Sequence, residues 1–64
     1  MKKKELKRLA TRMAELEIII QNSADPYEKQ AAQNEILNIT SKIVDIEDML
    51  ALDEMTQEIL EKNF

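Results

Sequence analysis

From Leu6 onward, apolar residues recur in alternating steps of three and four: Leu6, Leu9, Met13, Leu16 and Ile20. That spacing lays one apolar stripe along a helix, and Lys, Arg and Glu fill most of the positions between. The pattern predicts a first helix over about residues 3–21. Asn22, which tolerates a left-handed backbone better than most residues, stands ready to end it. A second stripe, Ala32, Ile36, Ile39, Ile43, Ile46 and Leu50, predicts a second helix over about residues 26–50. Beyond Leu50 the phase slips. The next place on the stripe is Asp53, whereas Leu52, Met55 and Ile59 are apolar. A break near Ala51 to Asp53 is therefore expected, followed by a short helix over about residues 53–62 capped by Asp53.

The polar run between the first two stripes, "QNSADPYEK", reads as a connection and a helix start. Asp25 suits the N-cap, Pro26 suits the first helical position because its missing N–H is not needed there, and Glu28 is placed to reach back to the cap. A connection this short favours antiparallel neighbours.

Both stripes are flanked by surplus apolar residues. Ile18, Ile19 and Ile20 point about 100° apart on a helix, so they cannot all face one neighbour. Leu37, Val44 and Ala51 repeat every seven residues beside the second stripe. Two helices alone cannot cover faces this wide. The expected architecture is thus all-α, one domain across residues 1–64: an antiparallel helical hairpin plus a short C-terminal helix, closing into a four-helix-type dimer. Ile18, Leu37, Val44, Met55, Ile59 and Phe64 are the candidate self-association or partner surface.

Composition narrows the chemistry. A 64-residue chain builds only a thin core, and with aromatics limited to Tyr27 and Phe64 that core must be aliphatic. There is no cysteine or histidine, so disulfides and the usual Cys/His metal sites are excluded. There is no glycine for a phosphate-cradling loop. Nucleophile–base catalysis lacks its common members, and neither an enzyme nor a cofactor is expected. No apolar run is long enough to span a bilayer, and the basic start is not followed by a signal-type apolar stretch. A soluble, cytoplasmic protein is the expectation, with no membrane contact.

Charge is unevenly placed around a net −4. Lys2, Lys3, Lys4, Lys7, Arg8 and Arg12 crowd the first helix with only Glu5 among them, whereas acids dominate the second half. Antiparallel helices would bring Lys3, Lys4 and Lys7 towards Asp45, Glu47 and Asp48. The leading functional expectation is a non-catalytic, small intracellular protein–protein interaction or regulatory module, pairing with itself and with an unidentified protein. The alternative is a nucleic-acid-related regulator. It would bind through the six basic residues, or imitate DNA with Asp45, Glu47, Asp48, Glu54, Glu58 and Glu61, as phage inhibitors and antitoxins of this class do.

The five residues Ser41-Lys42-Ile43-Val44-Asp45 resemble the Ser-x-x-x-Asp core of the small sporulation phosphatases of bacilli, which are short acidic helical hairpins acting on a phosphorylated response regulator. The resemblance implies phosphoryl release supported by Ser41 and Asp45. The chain departs from the family where Lys42 replaces its glutamine and Ile43 its glutamate.

Overall fold

The computed structural model describes residues 1–62, and Phe64 lies outside them. Three helices make up all the regular structure among the described residues: α1 (Lys3–Asn22), α2 (Pro26–Ser41) and α3 (Ile46–Lys62). The all-helical expectation holds, and the boundaries of the second and third helices do not.

Helix α1 is rich in strong helix formers, Lys, Leu, Ala, Arg, Met and Glu. It ends at Ser23, whose backbone is extended (φ −77°, ψ 139°) while its N–H still donates to the Ile19 carbonyl at 2.8 Å. No described residue has a positive φ, so the left-handed exit expected around Asn22 is not used. The Ser23 hydroxyl turns the chain instead, accepting the Asp25 N–H at 3.1 Å. Asp25 then caps α2 through its Oδ1, which accepts the Tyr27 N–H at 2.9 Å, and Pro26 opens the helix. With the Asp25 N–H already bonded to Ser23, the expected back-reach of Glu28 has no donor to meet.

The expected helix over 26–50 is two helices, and the break lies at Lys42–Asp45, not at 51–53. The residues before and within it disfavour a helix: Ile39, Thr40, Ile43 and Val44 are β-branched, and Thr40 and Ser41 can bond back to the main chain. They do so here, Thr40 Oγ1 to the Leu37 carbonyl at 3.1 Å and Ser41 Oγ to the Asn38 carbonyl at 2.9 Å. The Lys42 and Ile43 N–H groups close the end onto the Ile39 and Thr40 carbonyls. Asp45 restarts the chain as a cap, its Oδ1 accepting the Glu47 N–H at 2.9 Å. Glu47 and Asp48 follow in the first turn of α3, where their charge favours the positive end of the helix. Asp53 is consequently an interior, exposed residue of α3 and caps nothing.

Helix α1 is the common partner. Both α2 and α3 pack against it, and they meet each other only marginally. The Cα trace measures 34 × 25 × 15 Å, and its thinnest dimension is about that of two helices packed side by side. The core runs along α1 through Leu6, Ala10, Ala14 and Leu16, joined by Ala32 and Ile39 of α2, Ile43 of the connection and Leu52 of α3. Ala10 and Ala14 are almost wholly enclosed and let neighbouring backbones come close. Thr56 is buried too, its hydroxyl satisfied by the Leu52 carbonyl at 2.8 Å. Leu9, Met13, Ile19, Ile20, Ile36, Met49, Met55 and Ile59 pack around this line and stay partly open.

Candidate interaction surfaces

The second connection holds one side chain in and turns the next one out. Ile43 is buried against the core. Val44 is 94 % exposed, and Ile46 and Leu50, one turn apart on α3, are 75 % and 61 % exposed. Ile46 and Leu50 sat on the expected apolar seam. The break at Lys42–Asp45 resets the helical phase, so Leu52 and Thr56 face inward in their place. The same reset dissolves the row Leu37–Val44–Ala51: Leu37 and Val44 are exposed, and Ala51 packs against the core. Of the other expected surface residues, Ile18 is half-buried. Met55 and Ile59 pack partly against the core.

Helix α3 also presents acids. Glu47, Glu54 and Glu61 recur every seven residues, and they are exposed together with Asp53 and Glu58. Residues at these spacings share one side of a helix. On it Ile46 and Leu50 stand beside Glu47, Asp53 and Glu54, with no base between them.

The basic residues Lys2, Lys3, Lys4, Lys7, Arg8 and Arg12 are all exposed. Their expected pairing with Asp45, Glu47 and Asp48 is not what forms. Asp48 takes the N-terminal ammonium of Met1 at 3.1 Å, Asp45 is occupied as a helix cap, and none of the three lysines joins an ion pair among the described residues. Lys3, Lys4 and Lys7 instead line an open groove of about 440 Å³ with Lys62, over Met55 and Ile59; Glu58 is the acid on its wall. Arg12 is committed elsewhere. Its Nε donates to Glu35 Oε2 and its Nη2 to Glu35 Oε1 at 3.0 Å, a two-pronged link from α1 to α2. This hydrogen bond holds the Glu35 carboxyl below the usual glutamate range and raises the Arg12 guanidinium further.

Ser41 and Asp45 do not share a helical face, because Ser41 ends α2 and Asp45 caps α3. Their polar atoms are engaged with local main chain. Among the described residues, no group of three or more His, Cys, Asp or Glu comes together to hold a metal. No described helix is long and apolar enough to cross a membrane.

Sequence reasoning missed Ile46 and Leu50 as exposed residues. The signal was present: Asp45-Ile46-Glu47-Asp48 places a capping acid three residues before another acid, as Asp25-Pro26-Tyr27-Glu28 does. No protein-family model, curated protein or solved structure matches the chain.

Proposed function

We propose that this chain is a small, non-catalytic, cytoplasmic interaction module that acts through helix packing. It pairs first with a second copy of itself, as antiparallel hairpins closing into a dimer, and through the remaining surface with another protein. One observation carries this reading: Val44, Ile46 and Leu50 stand exposed together at the start of α3. Clustered aliphatic exposure of this kind marks contact surfaces, and packing against a second copy is a common way for small helical units to cover such a face.

The test is solution mass by sedimentation over a wide concentration range, for the natural chain and for Val44→Ser/Ile46→Ser/Leu50→Ser. The natural chain is expected to dimerise, and the triple variant to keep its helical signal and lose the dimer. A natural chain that stays monomeric throughout, or a triple variant that dimerises equally well, overturns the reading.

A second reading has one observation in its favour: Lys3, Lys4, Lys7 and Lys62 gather in one groove. Nucleic-acid phosphates would suit such a cluster, with steep salt dependence. A gel shift on duplex DNA that is absent at low salt rejects it.

A further inference from the structure

The lysine groove runs against the charge of the rest of the chain. Lys3, Lys4, Lys7 and Lys62 line it with Glu58 as the one acid, and four lysines against one glutamate leave it at +3 in a chain of net −4. None of the four lysines joins an ion pair among the described residues. The floor is aliphatic: Met55 and Ile59, one turn apart on α3, are half-buried and keep part of their surface open. We infer that this groove seats a short acidic, amphipathic helical segment of another protein, with aliphatic side chains on Met55 and Ile59 and carboxylates on the lysines. This rests on the reading above that the chain meets a second protein, and it gives that contact a surface and a chemistry.

Walls and floor select different parts of the occupant. Carboxylates answer the lysines, but exposed lysine–carboxylate pairs are individually weak, so charge alone gives little grip. Covering the floor takes apolar side chains three or four residues apart, the spacing that an amphipathic helix presents to a groove. Met55 to Lys62 spans about two turns of α3, so a segment of a few turns is long enough. Glu58 opposes the match, one acid against four lysines.

A nucleic acid meets only half of these demands. Its phosphates suit the lysines, but its backbone offers little apolar surface to Met55 and Ile59, and the groove has no aromatic ring on which a base could stack. Glu54 and Glu61, exposed on the same helix as Glu58, repel a polyanion long enough to run past the groove. A short segment does not reach that far. The groove is also separate from the self-association face. At 100° per residue, Met55 and Ile59 lie far round α3 from Ile46 and Leu50, so pairing through Ile46 and Leu50 uses a different side of the helix.

The probe is a blocked peptide about four helical turns long, with leucines alternately three and four residues apart and glutamates beside them. Its control has the same composition with the leucines at every second position, so that no single helical face collects them. Each is titrated into the nitrogen-15-labelled natural chain and followed by NMR. The amphipathic peptide is expected to shift the amides around Lys7, Met55 and Ile59 and to leave those of α2 in place. The control is expected to bind at least tenfold more weakly. Lys3→Gln/Lys4→Gln/Lys7→Gln, with its helical signal checked by circular dichroism, should weaken the amphipathic peptide at least tenfold, and arginine at the same three positions should restore it.

A natural chain indifferent to both peptides, equal binding of the two, or a folded glutamine variant that binds as well as the natural chain each overturn the proposal. So does a short DNA duplex that shifts the same amides at lower concentration than the peptide, which favours the nucleic-acid reading instead. Should the glutamine variant unfold, the two peptides and the duplex on the natural chain decide alone. The sedimentation test of Val44, Ile46 and Leu50 reads the other face, so self-association stands or falls separately.

Discussion

The two connections of this chain are built on the same device and serve opposite ends. Each is four residues or fewer, and each restarts the helix with an aspartate whose Oδ1 accepts the N–H two residues on, at 2.9 Å in both cases. Around Asp25 the neighbours are polar, and Ser23 turns the chain by hydrogen bonding alone. Around Asp45 the neighbours are aliphatic. Ile43 is driven into the core while Val44 and Ile46 are turned to solvent. The first connection is closed by its own polar groups. The second is pinned by packing on one side and leaves apolar surface on the other, which is why the candidate contact surface begins there.

Substitutions should separate the two, when stability is measured by urea unfolding at concentrations low enough to keep association out of the reading. The largest effect is expected from Ile43→Ala, a loss of about 2–5 kcal/mol from the cavity left in the core; Ala24→Ser, the counterpart in the first connection, is exposed and should change almost nothing. A cost below about 1 kcal/mol for Ile43→Ala would mean that packing does not pin the second connection.

Next come the caps. Asp25→Ala and Asp45→Ala should each cost about 0.5–2 kcal/mol. Equal losses would confirm equal devices, whereas a silent Asp45→Ala would mean that α2 runs on into α3. Smaller still, Val44→Ser should move stability by no more than about 0.5 kcal/mol while weakening association, a separation that no residue near Asp25 should reproduce.

The smallest effect concerns Glu35, beside the first pair of helices. Its folded-state carboxyl titrates below its unfolded value because of Arg12. The unfolded chain therefore binds more protons in that window, and the stabilisation is complete above the usual glutamate range and lost as pH falls through the folded value. Glu35→Gln should flatten this acid-side decline slightly, and an unchanged slope would show the link to be without weight.

Much of this fold was legible in the sequence, and the limit of what could be read lies at one point. The stripe from Leu6 to Ile20, the capping aspartate at 25 and the proline after it each specify local structure by themselves. The second break was hidden because Ile39, Ile43, Ile46 and Leu50 continue a perfect three–four spacing straight through it. Periodicity reports which residues are apolar, and it is blind to a change of helical phase. The competing signal was the β-branched and hydroxyl-bearing run from Ile39 to Val44, which weakens a helix where the stripe seems strongest. Missing that break hides two exposed residues as well: the spacing puts Ile46 and Leu50 on the seam, and both are exposed. The groove of four lysines was not legible either, because Lys62 joins Lys3, Lys4 and Lys7 only through the packing of α3 on α1.

That α2 and α3 both lean on α1, and hardly on each other, also sets how the molecule opens. Either outer helix can peel away without first dislodging the other, so the chain has two partial unfolding routes, and α1 is the element whose exposure requires both. Its central amides, around Ala10 and Ala14, should be the last to exchange with solvent. Departure of α3 alone would release Leu52 and Thr56, take Lys62 away from Lys3, Lys4 and Lys7, and leave the Arg12–Glu35 link between α1 and α2 in place. A partner gripping α3 would therefore slow exchange mainly on that helix, and α2 would keep its own rate.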